Sequence, residues 1–147
     1  MSTPEGVTGL LVDTSVFARL GFDTGVTSEF ARVIAEVTMR RLLLCPPVAA
    51  EVGFMARNTR QHTEFIRDLG EFAPCPISPT SQDTLDVQHA LWSHGLLRAA
   101  GAMDTLIVAY AKVNSATVLH YDSDFEHIAS ALPGFQHRWI VPRGTAG

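Results

Sequence analysis

Along this chain, short unbroken apolar runs alternate with longer stretches in which apolar residues recur every three or four positions. Runs of the first kind read as buried parallel strands and stretches of the second kind as amphipathic helices. The predicted strands are Gly9–Val12, Leu42–Cys45, Thr117–Tyr121 and Trp139–Val141, with a short edge strand around Ile77. After Asp13 a short helix, with Asp13, Thr14 or Ser15 as its cap, runs through about Leu20 and gives way at Gly21. The second starts near Thr27 or Ser28, carries Phe30, Val33, Ile34 and Val37 as its stripe, and ends at Arg40-Arg41, cations that suit a helix C-terminus. Pro46-Pro47 stops the second strand and suits the first turn of a helix through Met55. Arg60–Leu69 follows with Phe65, Ile66 and Leu69 on one face. Ser81 caps a helix to His94 whose Leu85, Ala90, Leu91 and Trp92 face inward, and Gly95 ends it. Beyond the connection Leu96–Gly101 come an almost wholly apolar helix, Ala102–Lys112, and a last one, Ser123–Ala131.

Strands that alternate with helices imply right-handed crossovers. The expected fold is a single α/β domain with a mostly parallel central sheet of four to five strands and helices on both faces. A length of 147 residues suits one domain. The expected division is a loose leader over 1–8, the domain over 9–142 and a tail over 143–147. The leader has no Lys, Arg or apolar core, so it does not read as a signal peptide. The composition, 46% hydrophobic and 18% charged, excludes a disordered chain, and no apolar run reaches membrane-span length. Cys45 and Cys75 form neither a disulfide framework nor a zinc spacing and read as reduced structural residues of a cytoplasmic protein.

Candidate chemistry lies where the apolar runs break. In open α/β sheets ligands sit beyond the carboxyl ends of the strands. Asp13 and the Asp122-Ser123-Asp124 segment stand at such ends, while Glu51 and Asp104 stand near the starts of apolar helices, which open on the same edge. Each has an ordinary alternative: Asp13 or Asp124 as a helix cap, Glu51 as an exposed helix position, Asp104 as a partner of the helix dipole. Brought together, however, such carboxylates would repel one another unless hard cations held them ionised, and Mg²⁺ or Mn²⁺ is what such oxygen donors prefer. The chemistry that follows is phosphoryl transfer by an activated water. The net charge of −4 does not oppose a nucleic-acid substrate, because setting these five acids aside leaves 10 acids against 11 bases.

Four segments carry a resemblance. Leu11-Val12-Asp13-Thr14-Ser15, Glu51 within Pro47–Val52, Asp104 within Asp104–Ala109, and Tyr121-Asp122-Ser123-Asp124-Phe125 resemble the acidic motifs of PIN-domain nucleases. More narrowly, the compact size resembles the VapC toxins of type II toxin–antitoxin pairs. The resemblance implies that Asp13, Glu51, Asp104 and Asp122 are the catalytic acids and that Asp13, Asp104, Asp122 and Asp124 hold the metal. Asp122 is preferred as the primary fourth acid, with Asp124 as a fifth or as a cap. Ser15 matches the hydroxyl that orients a site carboxylate, and Thr14 is expected to face the backbone. The implied activity is Mg²⁺- or Mn²⁺-dependent endoribonuclease cleavage leaving a 5′-phosphate and a 3′-hydroxyl, without a protein nucleophile. A VapB-like antitoxin and a homodimer are the implied partners. The nine residues ahead of Leu10 depart from relatives that begin with the first strand.

Two other classes compete with this reading. One is a catalytically inert module of the same fold that binds RNA or protein. The other is a phosphatase using Asp13, which would need a second Asp where Ser15 stands, or a phospho-acceptor domain, which would need paired acids before Asp13 and a late Lys. Neither phosphate pattern is present. His120 is expected in the core, with contact to a phosphate as its alternative. Arg57 and Arg98 are candidate substrate contacts, with Arg60 beside them, although solvated positions are the default. Trp92 and Trp139 are expected to serve the core.

Overall fold

The computed structural model describes residues 9–96 and 100–145; the expected leader, residues 146–147 and Arg98 lie outside the described residues. Five strands form one parallel sheet: β1 (Leu10–Val12), β2 (Leu42–Leu44), β3 (Ala73–Pro74), β4 (Thr117–His120) and β5 (Gln136–Trp139), in the order β3-β2-β1-β4-β5. Around it lie α1 (Thr14–Phe17), α2 (Thr24–Glu36), α3 (Pro46–Phe54), α4 (Thr59–Leu69), α5 (Ser81–Ser93), α6 (Ala102–Val113) and α7 (Asp124–Ala131). The expected α/β architecture is the one observed. No helix among the described residues is long and apolar enough to cross a membrane.

The central strands are apolar throughout because both sheet faces are covered. Successive side chains of a strand point to opposite faces. Leu11, Leu43 and Val118 therefore enter one core with Val52 of α3, Val87 of α5, Ile107 of α6 and Phe125 of α7. Leu10, Val12, Leu42 and Leu119 enter the other, with Val16 of α1 and Val26, Phe30 and Val33 of α2. β1 belongs to both cores. The chain leaves β1 toward β2 on one side and returns to β4 on the other, so the sheet's switch point falls between β1 and β4, where the Asp13 N–H donates to Leu119 O at 2.9 Å.

Several local expectations shift. The edge strand is Ala73–Pro74 rather than the region of Ile77, because β3 pairs with Leu43 and Leu44 and an edge tolerates the missing donor of Pro74. Ile77 is held instead by the Asn114 side chain, which accepts from Ile77 N at 2.9 Å and donates to Ile77 O at 2.8 Å. α2 begins earlier than Thr27 because the Asp23 carboxylate accepts from Val26 N at 3.0 Å. Arg40 and Arg41 lie beyond it, in a separate 3₁₀ turn. α5 is capped by Thr80 and Asp83 in a reciprocal pair rather than by Ser81, and its buried residues are Val87 and Leu91. Leu85 and Trp92 are 55% and 63% exposed, contrary to the inward expectation, and Ile34 and Ile66 are likewise on the outside. β5 precedes the expected Trp139–Val141: as an edge strand it alternates exposed Gln136 and Arg138 with half-buried His137 and Trp139, which hides it from a search for apolar runs.

Leu11→Ala, which opens a cavity at a fully buried strand position, should destabilise the fold by about 2–5 kcal/mol in urea unfolding, whereas Trp92→Ala on the exposed face should change stability by no more than about 0.5 kcal/mol.

Candidate active site

The C-terminal edge of the sheet gathers the acidic residues. Asp13 follows β1 directly, caps α1 and is only 4% exposed. One of its oxygens, Oδ2, accepts from Ser15 N at 3.0 Å and from Ser15 Oγ at 2.6 Å. Ser15 Oγ in turn accepts from Tyr121 N at 2.8 Å, so a single hydroxyl ties β1, α1 and the residue after β4 together. Cap and site are thus compatible roles for Asp13, since capping engages Oδ2 alone. Burial raises the Asp13 pKa, the two Ser15 hydrogen bonds oppose that rise, and Glu51 and Asp122 add to it.

Glu51 lies in α3 and is half-buried. Its Oε1 accepts from Thr14 Oγ1 at 2.8 Å. Thr14 therefore faces a site acid and not the backbone as expected. The two adjacent hydroxyls of α1 serve two different carboxylates, Thr14 holding Glu51 and Ser15 holding Asp13. The signal was present in the sequence: both hydroxyls directly follow the strand-end acid, in the first turn of a helix that starts on the site edge.

Asp104, third residue of α6, meets Asp122 and Asp124 with one carboxylate oxygen of each within 4.8 Å of the others. All three are half-buried. Burial first, then repulsion from Asp13, Asp122, Asp124 and Glu51 in that order, pushes the Asp104 pKa up to about 7. That order of causes places all five acids in one electrostatic field. Asp122 Oδ1 accepts from Asp124 N at 2.9 Å, so the helix-end hydrogen bond considered for Asp124 belongs to Asp122. Among the described residues, no Lys or Arg forms an ion pair with any of the five.

His120 is fully buried, as expected of a core histidine, yet it supports the site. Its Nδ1 accepts from Asp122 N at 3.1 Å and its Nε2 lies 2.8 Å from His137 Nδ1. Burial and the neighbouring His137 lower its pKa to about 3, so the ring is neutral. With Nδ1 accepting, the proton sits on Nε2 and is donated to His137. Trp139 packs on His120 and Tyr121 and donates from Nε1 to Glu126 Oε1 at 2.8 Å. Of the candidate arginines, Arg57 is exposed between α3 and α4, where its backbone N–H donates to Gln61 Oε1, and Arg60 faces Glu64 at 3.6 Å. The cysteines, Cys45 buried and Cys75 half-buried, are both free, and burial raises their thiols to about 12 and about 11.

The donor set is entirely carboxylate oxygen, and the nearest imidazole is buried and committed to its own hydrogen bonds. Such a set suits a hard divalent cation over zinc.

Comparison with known proteins agrees with this geometry. Residues 10–131 match the family model for the PIN domain. Ribonuclease VapC21 of Mycobacterium tuberculosis is 34% identical over 116 residues, covering 76% of this chain and 83% of that protein. Ribonuclease VapC51 of the same species is 34% identical over 130 residues, covering 84% and 93%. Among solved structures, VapBC2 from Rickettsia felis bound to a promoter DNA fragment superposes with a TM-score of 0.66 at 16% identity, covering 88% of this chain and 97% of that one. FitAcB from Neisseria gonorrhoeae gives 0.63 at 18%, covering 87% and 95%.

The raised acids predict a pH dependence. The stability associated with the neutral Asp104 carboxyl is fully present below its ordinary value of 3.8 and is lost as pH rises through about 7. In the metal-free protein, the urea midpoint should therefore fall over that window. Asp104→Asn should flatten the fall, and a divalent cation should restore the wild-type midpoint at the alkaline end. A midpoint indifferent to both would contradict the crowding of these acids.

Proposed function

The chain belongs to the PIN-domain family, and on that premise we propose that it is a metal-dependent endoribonuclease and the toxin of a toxin–antitoxin pair. The observation that carries the reading is the convergence of Asp104, Asp122 and Asp124 oxygens within 4.8 Å, in one field with Asp13 and Glu51. Relatives over most of the chain are named ribonucleases.

In this reading Asp13, Asp104, Asp122 and Asp124 hold Mg²⁺ or Mn²⁺, and Glu51 is the fourth catalytic acid beside Asp13, Asp104 and Asp122. When bound, such an ion supplies a lowered pKa for a water and charge stabilisation for a leaving oxygen. The protein's own contribution is placement. Ser15 fixes Asp13 through Oδ2 and leaves Oδ1 for the cleft. Thr14 fixes Glu51, which in this reading accepts a proton from the attacking water. His120 holds the backbone of Asp122 without contributing charge. Water adds to the phosphorus and the 3′-oxygen departs with a proton, giving a 5′-phosphate and a 3′-hydroxyl. No side-chain nucleophile is required.

The same reading supplies two protein partners, a VapB-like antitoxin and a second copy of the chain, and a place in the cytoplasm with the RNA. A cleft of about 320 Å³ lined by Phe17, Leu20, Phe30, Met55, Phe65 and Phe72 suits an apolar antitoxin segment. Exposed Leu85 and Trp92 on α5 offer an apolar stripe to the second copy.

Purified protein should cleave RNA with Mg²⁺ or Mn²⁺ and stop on addition of EDTA. Asp13→Asn and Asp104→Asn should abolish cleavage, with 5′-end sequencing of the products as the readout. Ser15→Ala, which removes only the orienting hydroxyl, should lower the rate by about 10–100-fold. Cleavage that survives in both Asn variants would overturn the site assignment, and RNA that is bound but never cut would leave an inert module.

A further inference from the structure

Beside the acidic edge lies a cation that the proposed chemistry has not used. Arg19, in the turn after α1, holds its guanidinium carbon 4.6 Å from the centre of the Tyr121 ring. The ring is itself fixed: Trp139 packs edge-on at 5.2 Å, and the Tyr121 hydroxyl accepts from Gly144 N at 2.9 Å. Tyr121 directly precedes Asp122, and its N–H binds the same Ser15 hydroxyl that orients Asp13. Arg19 is thereby tied to the residue that precedes Asp122, on the sheet face where Tyr121 packs with α1 and α2.

Its partners are what set Arg19 apart. Among the described residues its side chain makes no hydrogen bond and no ion pair, and its Nε is buried without a partner. By contrast Arg32 is paired with Glu29 and Glu36, and Arg143 with Glu126. Tyr121, the ring that holds it, is the residue immediately before Asp122. The ring supplies attraction to the cation while leaving its terminal N–H donors uncommitted. A polyanionic substrate must approach an edge that repels it, so a fixed cation flanking that edge has a clear use.

Building on the ribonuclease reading above, we propose that Arg19 is a substrate-binding residue that grips a phosphate of single-stranded RNA next to the scissile one, with Tyr121 as its platform. The contact is with backbone, so it carries affinity and strand placement but no base preference.

The test measures binding of a fluorescein-labelled single-stranded RNA of mixed sequence to the full chain made non-cleaving by Asp104→Asn, over a range of KCl concentrations. Arg19→Gln should weaken binding about tenfold or more, the loss expected of a hydrogen bond to a charged group. It should also reduce the slope of log affinity against log salt by about 0.7, the value for one phosphate contact on a single strand. Arg19→Lys should keep the slope while losing part of the affinity. In the chain with Asp104 intact, Arg19→Gln should raise KM more than it lowers kcat. An unchanged slope in Arg19→Gln, or an effect confined to its melting temperature, would overturn the assignment of Arg19 alone. Failure of every form to bind RNA would overturn the ribonuclease reading, and this inference with it.

Discussion

Mutual repulsion among carboxylates is the constraint on which the rest of this structure depends. Asp13, Glu51, Asp104, Asp122 and Asp124 share one sheet edge without a neutralising Lys or Arg among the described residues, and burial first, then repulsion from the other four, pushes the Asp104 pKa up to about 7. Only a scaffold with much to lose by opening can hold such a group together. The two apolar cores supply it, and β1, with side chains in both, is the member that links them. The strands are short, so backbone pairing alone contributes modestly; most of the resistance comes from apolar area removed from water.

Local polar contacts then refine what the cores hold only coarsely. The Ser15 hydroxyl bridges Asp13 and the Tyr121 backbone, Thr14 secures Glu51, and neutral His120 secures the backbone of Asp122. Each of these groups is uncharged, so each orients an acid without cancelling its charge. An arginine in any of these places would neutralise the acid it held and compete with a cation for it. The same logic accounts for Arg19, whose charge is kept on an aromatic ring beside the acids and off them.

Much of this was legible in the chain because burial on both faces leaves an unmistakable mark. β1, β2 and β4 appear as apolar runs, and the acids that follow β1 and β4 are placed by the topology of a parallel sheet. The edge strands were not legible in the same way: β3 is two residues containing a proline, and β5 alternates polar residues. Helix facing is not legible where apolar residues stand on more than one side, as in α5, where Val87 and Leu91 are buried and Leu85 and Trp92 are exposed. Thr14 escaped because one-dimensional reasoning assigns a hydroxyl beside a cap to its own backbone, whereas its partner lies 37 positions away. The neutral state of His120 comes first from burial and second from His137, which stands on an edge strand that no apolar run marks.

The pairing of β1 with β4 also bears on when the protein becomes complete during its synthesis. Leu10, Leu11 and Val12 find partners at Thr117, Val118 and Leu119, so the central strand waits for more than a hundred further residues before one of its two ladders can form. Contacts this distant in sequence form late, because loop closure must be paid before they give any return. The acids are dispersed in the same manner, the first at position 13 and the last at 124. A nascent chain still on the ribosome therefore lacks the assembled acidic centre, and a truncated product never acquires it. Topology alone delays the site until the segment through Asp124 has been made.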